Sequence, residues 1–393
     1  VVFPLFLPAE TRLVDGPDVP AWRDSGPVYL ALEEQQEVGL RLSATGRLSF
    51  FDVASGRSLQ EAQLPAGPGA GPGAGQDAGR DANQATGLAL AAAAVEHNGV
   101  VAAAGADGEV RVFRHRYETR FAGGVASRSI EPVLEYPYGE APLLDLAGAA
   151  PFALAVSDNA TGLLLAAASA DGRVRVNLAG KNENFLSGEV ELAPDIREMR
   201  VDYPLGGLAV SGNQRWLYVS DLGGRIHRYS LPALELQQTV EVSAAGISSI
   251  EMLLGGISLL VGDKAGVISQ LFPVRDENNE YSLVLVRQFE SLDSPIVRIL
   301  PEERRKGFLA LTADGEAAIF HSTAGRLITR VALAALQPAA LALAPRADGL
   351  LIEGQVIADS GPRLSRLEIR NEHPEISFSS LWRKVWYENY EKP

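Results

Sequence analysis

Val100-Val101-Ala102-Ala103-Ala104-Gly105-Ala106-Asp107-Gly108-Glu109-Val110-Arg111-Val112-Phe113 reads as two strands folded back on one another. The run 100–104 is apolar throughout, as a strand covered on both faces must be. Asp107-Gly108 supplies the positive φ that a tight hairpin turn needs. The alternation that follows sets Val110 and Val112 on one face and Glu109 and Arg111 on the other. The same pattern returns at Leu163-Leu164-Leu165-Ala166-Ala167-Ala168-Ser169-Ala170-Asp171-Gly172-Arg173-Val174-Arg175-Val176.

Working outward, weaker copies stand at Ala44-Thr45-Gly46-Arg47, Asp221-Leu222-Gly223-Gly224-Arg225, Asp263-Lys264-Ala265-Gly266-Val267, Ala313-Asp314-Gly315-Glu316 and Asp359-Ser360-Gly361-Pro362. The turn glycines are therefore 46, 108, 172, 224, 266, 315 and 361. Most intervals lie near the roughly 40–45 residues of a four-stranded propeller blade, and the two longest hold extra loop. The first unit fills out to four strands, Val28 to Leu32, Val38 to Leu42, Arg47 to Phe51 and Ser58 to Leu64. The expected fold is all-β: a seven-bladed β-propeller over 25–372, with short segments outside the ring at 1–24 and 373–393. Two β-sandwiches also consist of short strands, but they do not account for one Asp/Gly hairpin per unit.

Phe51-Asp52-Val53-Ala54-Ser55-Gly56-Arg57 resembles the Trp-Asp end of a WD40 repeat with Phe in the Trp place, and Phe113, Tyr229 and Phe320 hold that place in later units. The Asp does not recur, because Arg114, Ser230 and His321 follow those aromatics, and no Gly-His dipeptide accompanies it. The propeller is thus degenerate and WD40-like. Between the first two units, 65–87 is a run of Gly, Pro and Ala that has little to bury, and a flexible insert is expected there.

The chain has 393 residues, a formal net charge of −14 and no cysteine. So acidic a surface repels a phosphate backbone, which argues against nucleic acid as partner. Disulfides, thiolate metal sites and cysteine nucleophiles are excluded together. No run of 18 apolar residues spans a bilayer.

Chemistry is sparse. His97, His115, His227, His321 and His373 fall in different units or tails, without metal-ligand spacing. No nucleophile elbow or phosphate loop occurs, and the boxes of sialidase and quinoprotein propellers are missing. Asp107, Asp171 and Asp314 belong to their turns. The basic run Arg111 to Tyr117 reads as the polar face of a strand entering a loop. Arg47, Arg173, Arg225 and Arg363 directly or nearly follow turn glycines, so they are expected at one end of the ring as a basic ring. The expectation is a non-enzyme with no catalytic residue, cofactor or metal.

After the last unit the character changes. His373-Pro374-Glu375 and Ser380-Leu381-Trp382-Arg383-Lys384-Val385-Trp386-Tyr387-Glu388-Asn389-Tyr390-Glu391-Lys392-Pro393 hold two of the four Trp and two of the ten Tyr. Trp382, Trp386, Tyr387 and Tyr390 suit a membrane surface, where such rings sit at headgroup level. The tail resembles the segment before the permease core of large PstC-like phosphate ABC transporter permeases from Gram-negative bacteria. Val1-Val2-Phe3-Pro4-Leu5-Phe6-Leu7-Pro8-Ala9 resembles the exit of that family's first membrane helix. The resemblance implies a domain on the periplasmic side of the inner membrane. Its implied partners are the membrane helices of its parent permease and a periplasmic phosphate-binding protein, with a role in docking or regulation of phosphate import. No pore residue lies in the chain. The alternatives are a free-standing propeller scaffold for protein–protein interaction and a propeller with a small-ligand site in its axial channel.

Overall fold

The structure is a computed structural model, and it describes residues 9–19, 22, 26–65, 90–95, 99–122, 127–183, 190–275, 277, 279–304, 307–354 and 363–371. The insert read at 65–87 falls outside these residues apart from Pro65. The tail 373–393 with Trp382, Trp386, Tyr387 and Tyr390, and the turn at Gly361, also fall outside them.

Seven antiparallel sheets form an all-β seven-bladed propeller. Blade 1 is Pro27–Leu32, Val38–Ser43, Arg47–Asp52 and Ser58–Gln63, within two residues of the sequence reading. Blade 4 (Leu205–Val210, Trp216–Asp221, Arg225–Ser230, Glu235–Glu241) repeats this plan. So do blade 5 (Ile247–Met252, Leu259–Asp263, Ile268–Arg275, Tyr281–Gln288) and blade 6 (Ile296–Pro301, Gly307–Thr312, Glu316–His321, Arg326–Ala332). In each blade the first strand is innermost, and the first strands of neighbouring blades lie side by side around the axis.

Two corrections follow. The segment 1–24, expected outside the ring, contributes Ala9–Asp18 as the outer strand of blade 7, paired with Arg363–Asn371 beside Gly349–Gly354 and Pro338–Leu343. The ring is closed by joining its two ends, which satisfies the backbone edge that a three-stranded last blade would expose. Secondly, the long second interval is not loop. Glu109–Ala122 of blade 2 runs on into an arm paired with Ser127–Glu135, and Leu144–Asp145 then completes the blade. Blade 3 (Pro151–Asp158, Gly162–Ser169, Arg173–Glu183) repeats the device, with Val190–Ala193 on the arm and Ile196–Arg200 on the blade.

Seven apolar clusters fill the seven seams. Phe51 packs with Trp22, Leu351 and Leu364 where blade 1 meets blade 7. Phe113 joins Leu40 and Phe50 of blade 1, Tyr229 joins Leu164 and Val176 of blade 3, and Phe320 joins Leu260 and Phe289 of blade 5. In these four blades an aromatic of the third strand therefore packs in the seam with the preceding blade, and burying one contributes about 1.5–3 kcal/mol.

The six described turn glycines have φ between 79 and 101°. A Cβ on Gly224 would sit 1.7 Å from the Ser243 carbonyl oxygen, so conformation and space both demand glycine there. A side chain with an accepting oxygen recurs three places earlier in four of these turns. The side chains of Ser43, Asp221, Asp263 and Thr312 accept the backbone N–H groups of Arg47, Arg225, Val267 and Glu316, bracing each turn.

Candidate interaction surface

One end of the ring carries the glycine turns and the blade-to-blade loops. The other carries the two arms and the ends of the closing pair at Ala9 and Asn371. At the turn-bearing end every innermost strand has a bulge. Pairing is regular from Tyr29, Ala92, Ala153, Gly207, Ser249, Arg298 and Ala340 onward. It leaves Val28, Ala91, Phe152, Gly206, Ser248, Val297 and Ala339 as the extra residues. These seven equivalent positions surround the axis.

Ala91, Phe152, Ser248, Val297 and Ala339 are exposed, Phe152 at 43% and Val297 at 48%. Ser248 alone has a polar group, and its hydroxyl donates to the Ile296 carbonyl at 2.6 Å. The mouth of the axis is thus an apolar ring on a strongly acidic molecule. The same end carries exposed Asp107, Asp171 and Asp314 at the turn tips, Asp145 at the end of a strand and Asp293 in a blade-to-blade loop. The Ser169 hydroxyl holds the Asp171 carboxyl below the usual range, and the Thr312 hydroxyl does so for Asp314, so both are ionised at neutral pH.

Arg47, Arg173, Arg225 and Arg363 share this end, and each meets a carboxylate. Arg47 reaches Glu61 at 2.8 Å, Arg225 reaches Glu241 at 3.4 Å and Arg363 reaches Asp18 at 3.6 Å, each acid being on the outer strand of the same blade. Arg173 lies 3.7 Å from Asp171 and 3.9 Å from Glu198, and donates to the Leu146 carbonyl. These cross-strand pairs stitch third strand to fourth, and their exposure keeps each one's contribution small. The basic run of blade 2 also meets carboxylates: Arg111 meets Glu109 on its own strand, Arg114 meets Asp158 on the inner strand of blade 3, and Arg116 meets Glu118 on its own strand and Glu135 across the arm.

His115 is buried in the seam between blades 1 and 2, its Nε2 3.0 Å from the Tyr29 hydroxyl. Burial pushes its pKa down to about 4, so it is neutral at pH 7. His227 is buried in blade 4 and His321 is half-buried in blade 6. Among the described residues no group of three or more His, Cys, Asp or Glu is placed to hold a metal ion, and no helix is long and apolar enough to cross a membrane.

The apolar ring escaped the sequence reading because a bulge is a property of pairing and not of residue type. One signal was available: Pro27, Pro151 and Pro338 open three of the inner strands, at positions where a ladder N–H is not needed.

Neither a family model nor a curated protein matches the sequence. Among solved structures, the β-propeller domain of Cps50 (Swd1) from Myceliophteria thermophila is similar, with a TM-score of 0.56 at 10% identity, covering 92% of this chain and 99% of that one. At that identity the likeness establishes the propeller fold alone.

Proposed function

We propose that this chain is a non-catalytic interaction propeller that receives a partner protein at the axial mouth of its turn-bearing end. The observation that carries this reading is the ring of seven bulge residues. Apolar surface at the centre of a charged rim is the arrangement in which buried side chains provide affinity while the rim excludes wrong partners. The test compares partners captured by the wild-type protein with those captured by a Phe152→Asp, Val297→Asp variant of unchanged melting temperature. Selective loss of a partner supports the reading, and an unchanged set overturns it.

A second reading, docking or regulation within a phosphate permease on the periplasmic side of a membrane, is favoured by one relationship. Ala9 pairs with Asn371, so the first and last described residues of the ring stand side by side. A domain carried on two neighbouring membrane segments has that requirement. Reading the gene on both sides of this segment tests it: a membrane helix upstream and permease helices downstream support it, and their absence overturns it.

A further inference from the structure

A cleft of about 430 Å³ opens between the outer parts of blades 3 and 4, away from the axis. Met199, Val201, Leu234 and Leu236 give it an apolar side, and Leu236 is 54% exposed. Tyr203, Tyr229 and His227 give it an aromatic wall. This wall is rigidly built. The His227 ring stacks on Tyr203 with centroids 4.0 Å apart, its Nδ1 lies 3.1 Å from the Thr239 hydroxyl, and its Nε2 lies 3.1 Å from Asp221. Asp221 in turn accepts the Arg225 backbone N–H at 2.9 Å. Both imidazole nitrogens are thereby used in orienting the wall, which suits a positioning role and leaves neither for catalysis.

Two features say what the cleft takes. Of the charges at its rim, Arg200 is held by Asp171 at 3.0 Å, whereas Asp202 is exposed with no ion pair or hydrogen bond among the described residues. The hydroxyls of Tyr203 and Tyr229 share one hydrogen bond at 2.8 Å, and burial first, then this bond and nearby Asp202 and Asp221, keep Tyr203 neutral. The site therefore offers an apolar trough, uncharged aromatic rings and one unneutralised carboxylate. That is the complement of a side chain with an aliphatic stem and a cationic head.

We propose that the cleft between blades 3 and 4 binds a lysine or arginine side chain of a partner protein, the stem along Leu234, Leu236 and Met199 and the head at Asp202. The proposal deepens the interaction reading by giving the partner a chemistry at a second, lateral place. The chain has two methionines, Met199 in the cleft and Met252 buried in blade 5, so methyl-labelled methionine supplies a reporter and an internal control.

The experiment titrates the intact protein with N-acetyl-arginine methylamide, N-acetyl-lysine methylamide, N-acetyl-norleucine methylamide and N-acetyl-glutamate methylamide. The cationic probes should move the Met199 methyl resonance and leave Met252 in place. Asp202→Asn should weaken them about tenfold, the scale of one charge-assisted contact. A stationary Met199, equal response to norleucine, or unchanged binding in Asp202→Asn overturns the proposal. Phe152→Asp with Val297→Asp should leave these titrations unaltered, so the axial and lateral sites can fail separately.

Discussion

The side-chain amide of Gln238, on the outer strand of blade 4, makes with Leu283 the two hydrogen bonds that a neighbouring strand would make. Its Nε2 donates to the Leu283 carbonyl at 2.9 Å, and its Oε1 accepts the Leu283 N–H at 2.8 Å. Leu283 sits on the outer strand of blade 5, opposite Pro273, which has no N–H to give. Arg228 adds a third bond, to the Tyr281 carbonyl at 2.7 Å. This edge carries exposed Tyr281, Val284 and Val286. A bare apolar edge is a template for association, and blade 4 caps it.

Replacing Gln238 by Ala should therefore act twice. Leaving the Leu283 N–H and C=O without partners should cost about 1–3 kcal/mol in denaturant unfolding. The freed edge should also raise concentration-dependent light scattering. A variant equally stable and equally monodisperse would show that the clamp is incidental.

The closing seam holds a buried ion pair. Arg41 of blade 1 meets Glu353 of blade 7 at 2.9 Å, both nearly inaccessible, with the guanidinium 4.9 Å from the Trp22 ring centre. Burial pushes the Glu353 carboxyl up while Arg41 holds it down. Arg41→Met strands the acid and should cost about 3–5 kcal/mol, whereas Arg41→Met with Glu353→Leu should recover most of that loss. Equal destabilisation in the two variants would mean that the pair is not what the seam depends on.

His115 sets an acid limb on stability. Its folded pKa of about 4 lies below the unfolded value of about 6.5, so the unfolded chain binds the extra proton between those values. The contribution is complete above about pH 6.5 and is lost as pH falls toward 4, amounting to about 3 kcal/mol over the window. His115→Gln should flatten the fall in unfolding free energy between pH 6.5 and 4. A curve identical to wild type would assign the acid limb to other groups.

What was legible in the sequence followed from local chemistry. Asp107-Gly108 and Asp171-Gly172 announce hairpins because few residues accept positive φ. Phe51, Phe113, Tyr229 and Phe320 announce a repeated core position. The partners across space were not legible. Nothing near Arg47 in the chain shows that Glu61 lies beside it, and the bulge at Phe152 arises only when two strands pair. Ala9–Asp18 was misplaced because a strand closing a ring is paired with residues at the far end of the chain, where no local pattern points.

That closure gives the sharpest test. Asp15 stands opposite Ser365, and antiparallel partners lie about 4.5–5.5 Å apart at Cα, within the span of a disulfide. The chain has no cysteine, so Asp15→Cys with Ser365→Cys introduces a single pair without competitors. Ser365 is buried and Cys is close to it in size, while Asp15 is exposed, so both replacements fit their sites. Oxidation should form the bond in the folded protein and tie the ends of the ring. It should raise stability by about 2–4 kcal/mol over the reduced form of the same variant, because the unfolded chain loses the freedom of a loop that is nearly its whole length. Gel mobility under non-reducing conditions reports the bond, and denaturant unfolding with and without reductant reports its effect. Failure to cross-link in the native state, with linkage appearing only under denaturant, would place Ala9–Asp18 away from blade 7 and leave the ring closed by some other strand.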